Sequence, residues 1–136
     1  MSGSNPMRWD CEKQGCFNKL KRPKIEQFSD CFPGRINFGD VDGIVEIAGR
    51  ALLLEWKPGK DALRTGQRIM YERLTRDKLL SVILVCGNAE TMEISSFAQF
   101  CSGKQRPWKD GSMDDVKKWI RAWVAWAQKH SIAPIR

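Results

Sequence analysis

Two carboxylates and an amine stand at the ends of two neighbouring apolar runs. Asp42 opens Asp42-Gly43-Ile44-Val45-Glu46-Ile47, and Glu55-Trp56-Lys57 closes Ala51-Leu52-Leu53-Leu54. A hard cation such as Mg²⁺ takes oxygen ligands, keeps several waters and uses one or two carboxylates beside substrate phosphates. A neighbouring lysine can orient the attacking water or stabilise charge developing at phosphorus, so the chemistry these residues suit is phosphodiester hydrolysis. Taken singly, each acid reads more simply as solvated surface. Their combination argues for a site.

Positioning falls to a β-hairpin. With Ala48-Gly49-Arg50 as the turn, the two runs lie antiparallel and bring Asp42 close to Glu55 and Lys57. Alternation along a strand puts Glu55 and Lys57 on one face and Leu54 and Trp56 on the other.

Asp42, a spacer and Glu55-Trp56-Lys57 together resemble the signature of the PD-(D/E)XK nuclease superfamily. The stretch from Glu55 through Pro58-Gly59-Lys60-Asp61-Ala62-Leu63-Arg64-Thr65-Gly66 to Gln67 is similar to VRR-NUC-type and phage-encoded endonuclease members, in which the Glu-x-Lys strand leads to a helix carrying a Gln. Gln67 and Tyr71 reproduce the Gln-x-x-x-Tyr pattern of exonuclease-like members. The resemblance covers residues 26–85; Val41 stands where the motif name has Pro, its loosest position.

What the resemblance implies is an α/β fold with a restriction-endonuclease-like core, ordered helix, three strands, helix, strand, and followed here by a Trp-rich C-terminal helix. It makes Asp42 and Glu55 metal ligands, with the Trp56 backbone carbonyl as a third, Lys57 the catalytic lysine, and Gln67 a residue steadying the attacking water or a metal-bound oxygen. Tyr71 shares a helix face with Gln67 and either touches a phosphate or packs. An acidic residue on the first helix joins the site in related resolvases and exonucleases; Glu26 is the candidate, with Asp30 and Asp40 in competition, and Asp40 alternatively serving a second metal or an acidic rim. The implied cofactor is Mg²⁺, with Mn²⁺ able to substitute, and the implied partner is DNA.

Composition agrees. With 136 residues, 42% of them hydrophobic, the chain suits one compact domain: a disordered stretch over about 1–10, then a single nuclease-like domain over about 11–136 with its core at about 23–86 and an extension at about 87–136. The net charge of +7 attracts a polyanion. Lys19, Lys21, Arg22 and Lys24 precede the first helix, and Lys60, Arg64, Arg68, Arg73 and Arg76 follow the acidic site. Of these, Lys60, Arg64 and Arg68, with Tyr71, are the candidate DNA contacts; a solvated basic helix face is the alternative.

No apolar run is long enough to span a membrane, and Met1-Ser2-Gly3-Ser4-Asn5-Pro6 is too polar for a signal peptide. The five cysteines, Cys11, Cys16, Cys31, Cys86 and Cys101, show no C-x-x-C pair. Zinc held by Cys11, Cys16, Cys31 and His130 is conceivable, but the irregular spacing argues against it. Reduced thiols in a cytoplasmic setting, that of a bacterial host if the chain is phage-encoded, are the expectation.

Along the chain, about 23–31 reads as the first helix, stopped by Phe32-Pro33-Gly34, and Arg35-Ile36-Asn37-Phe38 as a short strand or an extended approach to Asp40. Thr65 can cap a helix to about Lys78 with Ile69, Met70 and Leu74 inward. Ser81-Val82-Ile83-Leu84-Val85-Cys86 reads as a strand buried on both faces, Thr91-Met92-Glu93-Ile94 as a further strand, and 105–111 as a loop. Ser112 and Asp115 form a capping box opening a helix to about His130. Its Trp119, Trp123 and Trp126 recur at helical spacing; they could stack bases, but packing against the sheet or a second subunit is the better reading. His130 caps that helix rather than catalysing.

The leading expectation is therefore a Mg²⁺-dependent DNA endonuclease of structure-guided or weak sequence specificity. The alternative is a non-catalytic module, on the same fold, that binds nucleic acid or a protein. A small structural protein assembling through its tryptophan helix leaves the converging charges unexplained. A homodimer is left open.

Overall fold

A computed structural model describes residues 23–132. The chain divides into two compact units between Asp40 and Val41, inside the span expected as one core. In the first, the helix is a 3-10 helix, Ile25–Cys31. Its stop has the expected cause: Phe32, which precedes Pro33, is extended at φ −117° and ψ 151°. Of the two readings of Arg35–Phe38, a short strand or an extended approach to Asp40, the strand does not form. Phe38 instead meets Phe28 and Phe32 edge to face, with ring centroids 6.0 and 5.2 Å apart. The expected three strands before the second helix are therefore two.

The second unit, from Val41 on, is built around a mixed six-stranded sheet. Strands β1 (Gly43–Ile47) and β2 (Arg50–Lys57) form the expected hairpin. Ile47 pairs with Arg50, so the loop is Ala48-Gly49 alone and Arg50 belongs to β2. Both loop residues have positive φ, 54° and 91°, which a two-residue type I′ turn requires. Gly49 is demanded twice over, because a Cβ there would sit 2.9 Å from that of Ile132.

Strand β3 (Leu80–Asn88) runs parallel to β2, and parallel neighbours need a crossover. Helix α1 (Thr65–Leu74) supplies it. Arg64, not Thr65, is its N-cap, and the helix stops four residues before the expected Lys78. Thr75 takes over there: its hydroxyl donates to the Tyr71 carbonyl at 2.7 Å and accepts the Gly103 N–H at 3.1 Å, and Lys78 at φ 68° lies outside right-handed helical space. The inward face is also different. Tyr71 and Thr75 are buried, whereas Met70 and Leu74 are 45% and 46% exposed.

Residues 81–86 of β3 are buried without interruption, as a central strand covered on both faces must be. Strand β4 (Glu93–Cys101) pairs antiparallel with β3 and is far longer than the segment expected at Thr91–Ile94. The expected loop at 105–111 contains two short strands on β4, β5 (Lys104–Gln105) and β6 (Lys109–Asp110).

Helix α2 (Met113–Lys129) starts as read: the Ser112 N–H and hydroxyl donate to Asp115 at 2.8 and 3.2 Å. It also ends as read, with His130 at the C-cap and its Nδ1 3.0 Å from the Trp126 carbonyl. Its tryptophans pack on the sheet. Trp123 joins Leu52, Ile83, Val85 and Phe97 in one core layer, with Trp119 and Trp126 against it. Tyr71 of α1 joins Leu53, Val82, Leu84, Ala98 and Phe100 in the other. The residues of the two layers alternate along β2 and β3, so α1 and α2 cover opposite faces of the sheet. No helix among the described residues is long and apolar enough to cross a membrane.

Candidate active site

The site grows from the parity of β2. Leu53, Glu55 and Lys57 face α1, while Leu52, Leu54 and Trp56 face α2, as alternation requires. Glu55 and Lys57 are consequently buried, at 6% and 8% exposure. Charged groups at that depth need partners. Lys57 Nζ lies 3.8 Å from Glu55 Oε2 and donates to Gln67 Oε1 at 2.9 Å, and the Tyr71 hydroxyl hydrogen-bonds Glu55.

A match of periods makes these contacts possible. Four residues of α-helix rise about 6 Å and two residues of strand about 6.6 Å. Gln67 and Tyr71, four apart on α1, therefore face Lys57 and Glu55, two apart on β2, rung for rung. Gln67 is fixed from the other side too. At the third position of the helix its Oε1 also accepts the Arg64 N–H at 3.4 Å, the return half of a capping box. That oxygen is committed to Lys57 and to the helix start.

Asp42 arrives from the hairpin. Gly43 pairs with Leu54, so the residue before Gly43 falls opposite Glu55, and Asp42 Oδ2 accepts the Trp56 N–H at 2.7 Å. Trp56 is anchored on its far side as well, its indole N–H donating to the Gly87 carbonyl at 3.0 Å. Tyr71 responds to both acids. Burial first, then the Glu55 charge and hydrogen bond, then the Asp42 charge push its phenol well above the usual tyrosine range. Both carboxylates thus act on one buried point.

The chain matches no family model, no curated protein and no solved structure.

Asp42, Glu55, Lys57 and Gln67 are brought together, and Tyr71 joins them from beneath. Of the two readings of Tyr71, packing is the observed one: at 1% exposure it has no surface to offer a phosphate. Glu26 lies in the first turn of Ile25–Cys31, and Glu26, Asp30 and Asp40 all belong to the unit that ends at Asp40. Lys60, Arg64 and Arg68 lie on the segment leading from β2 into α1 and are exposed. Lys60 pairs with Asp110 at 3.7 Å, and Arg68 with Glu72 at 3.2 Å. Lys19, Lys21, Arg22, Cys11 and Cys16 fall outside the described residues.

The donor set fits a hard divalent cation better than zinc. No group of three or more His, Cys, Asp or Glu side chains gathers at a metal-binding distance among the described residues. Asp42 and Glu55 could offer carboxylate oxygens, the ligand type a hard divalent cation takes, and Mg²⁺ uses only one or two of them from protein.

Two neighbours were not read from the sequence. Lys57, Cys86 and Ser96 lie in one row across β2, β3 and β4, with Asp110 of β6 opposite Ser96. The Ser96 hydroxyl is buried with no hydrogen-bond partner among the described residues. Both Ser96 and Asp110 sit on strands that carry weak sequence signals, and only sheet pairing brings them to Lys57 and Lys60.

Proposed function

We propose that this chain is a Mg²⁺-dependent DNA nuclease of the PD-(D/E)XK type, an endonuclease guided by DNA structure or weak sequence preference. The observation that carries this reading is the buried Lys57 ammonium, 3.8 Å from Glu55 and 2.9 Å from Gln67, at the end of the hairpin where Asp42 meets Trp56. A lysine at that depth, held between a carboxylate and an amide, is expensive to bury for packing alone. It is worth having where charge develops during a reaction.

In this reading Asp42 and Glu55 hold the cation, with the Trp56 carbonyl as third ligand. A bound Mg²⁺ or Mn²⁺ would supply Lewis-acid polarisation of the phosphate and an acidified water. Lys57 orients the nucleophile and stabilises charge at phosphorus. Gln67 holds Lys57 in position, and Tyr71 holds Glu55. Lys60, Arg64 and Arg68 offer positive charge along the entry to α1, where a phosphate backbone would pass. Chemistry of this kind needs no membrane and suits a cytoplasmic setting, that of the host cell if the chain is of phage origin.

The alternative is a nuclease-like module that binds without cutting. It is favoured by one observation, the engagement of Asp42 Oδ2 with the Trp56 N–H, which gives Asp42 a structural task of its own. Conversion of supercoiled plasmid to nicked or linear form, with Mg²⁺ or Mn²⁺ against a chelator control, separates the two: metal-dependent conversion supports the enzyme, and binding without conversion supports the module.

A further inference from the structure

Trp56 stands between Glu55 and Lys57 in sequence but on the opposite face of β2, where it packs against the layer under α2. Its main chain and its side chain are held in different directions. The backbone N–H donates to Asp42 Oδ2 at 2.7 Å, and the indole N–H donates to the Gly87 carbonyl at 3.0 Å. One residue thereby links the carboxylate delivered by the hairpin to the end of β3.

The indole tie comes where the ladder runs out. The last pair of β2 with β3 is Lys57 with Cys86, and Pro58, next in sequence, has no N–H with which to continue. The acceptor is itself fixed. Pairing of β3 with β4 shifts register between Cys86 and Gly87, and the Ser95 hydroxyl donates to the Cys86 carbonyl at 3.1 Å. Gly87 then runs so close to β4 that a Cβ there would collide with the Glu93 carbonyl oxygen and sit 2.9 Å from Ile94 Cα. A glycine permits that approach.

We infer that Trp56 is a positioning residue for a divalent cation at Asp42 and Glu55, acting through its indole from the far side of the sheet. The inference rests on the proposed reading of those two carboxylates as cation ligands. They come from different segments, Asp42 from the residue before β1 and Glu55 from β2, so their separation must be set by something that touches both. Trp56 does so: its N–H holds Asp42, its own backbone follows Glu55, and its indole locks that backbone to Gly87. Groups that orient ligands from behind weigh about ten- to a hundredfold in metal affinity.

The test is calorimetric titration of the full chain with Mn²⁺ in the absence of DNA. Trp56→Phe keeps the main chain and an aromatic ring and deletes only the donor, and it should weaken Mn²⁺ binding by roughly tenfold. Trp119→Phe, the same exchange in a residue packed against the same layer, should bind Mn²⁺ as wild type does. Wild type alone supplies a second measurement, with its indole N–H signals assigned by NMR. Saturating Mg²⁺ should slow solvent exchange of the Trp56 indole N–H by a comparable factor, since a tie that favours the cation must be favoured by it in equal measure. Mn²⁺ bound by wild type and equally well by Trp56→Phe, equal weakening in Trp119→Phe, or indole exchange unmoved by Mg²⁺ would overturn the role of Trp56 alone. A wild type that binds no Mn²⁺ would overturn the cation reading of the site and this role with it.

Discussion

The ammonium of Lys57 and the amide oxygen of Gln67 are 2.9 Å apart, and that contact joins the end of β2 to the start of α1. Gln67 is accordingly a positioning residue, and its removal should disturb Lys57 without disturbing the core. Gln67→Ala should lower single-turnover plasmid cleavage by roughly a hundredfold, the scale of misplacing a catalytic group by about an ångström. Its melting temperature should fall by a few degrees, because the buried ammonium and the Arg64 N–H lose an acceptor, with the fold intact by circular dichroism. Cleavage at the wild-type rate would remove Gln67 from the site.

Glu55 and Lys57 are buried together, so their contributions to stability should be strongly coupled. Lys57→Ala should destabilise by about 3 kcal/mol in urea unfolding, because it leaves a buried carboxylate without its ammonium. Adding Glu55→Gln to that background should recover a large part of the loss. Strictly additive effects would mean that the pair is solvated rather than buried.

Tyr71 is the chain's single tyrosine, so tyrosinate absorbance reports on one site. Its pKa is raised in the folded state, by burial first and then by Glu55 and Asp42. The folded protein therefore holds the phenolic proton more tightly than the unfolded chain does. The contribution to stability is complete below the unfolded value of about 10 and is lost as pH rises above it. Alkaline titration should give no tyrosinate signal near pH 10 and then a signal coincident with loss of tertiary circular dichroism. Ionisation near pH 10 in a still-folded protein would contradict the burial of Tyr71 against Glu55.

Among the basic residues entering α1, Lys60 and Arg68 carry acidic partners and Arg64 has no ion pair among the described residues. The salt dependence of duplex binding in Ca²⁺ should rank them. Arg64→Ala should make the slope of log K against log salt shallower by about 0.9, one phosphate contact, and Arg68→Ala should change it less, since Glu72 already neutralises that charge. Equal slopes for wild type and Arg64→Ala would move the DNA path away from this helix start.

Much of the site was legible because local rules govern it. Strand parity placed Glu55 and Lys57 together, a tight turn brought Asp42 back to them, and four-residue spacing put Gln67 and Tyr71 on one helix face. The α2 capping box and the packing of its tryptophans were legible for the same reason. What escaped depended on distant partners. The inward face of α1 is Gln67, Tyr71 and Thr75 because a polar site lies beneath it, so an apolar stripe through Met70 and Leu74 was the wrong guide. Strand β4 mixes Ser95, Ser96 and Gln99 into its apolar residues, and only pairing with β3 marks it as central. Arg35–Phe38 has strand-like residues, but Phe38 packs edge to face on Phe28 and Phe32 instead.

If Asp42 and Glu55 hold a cation for hydrolysis assisted by Lys57, the rate of plasmid cleavage in Mg²⁺ must depend on both carboxylates, which wild type, Asp42→Asn and Glu55→Gln compared side by side reveal. The expected result is metal-dependent cleavage by wild type that falls by roughly a hundredfold or more in each variant, with both variants folded by circular dichroism. Cleavage by Glu55→Gln at the wild-type rate, or none by wild type in either Mg²⁺ or Mn²⁺, would contradict it.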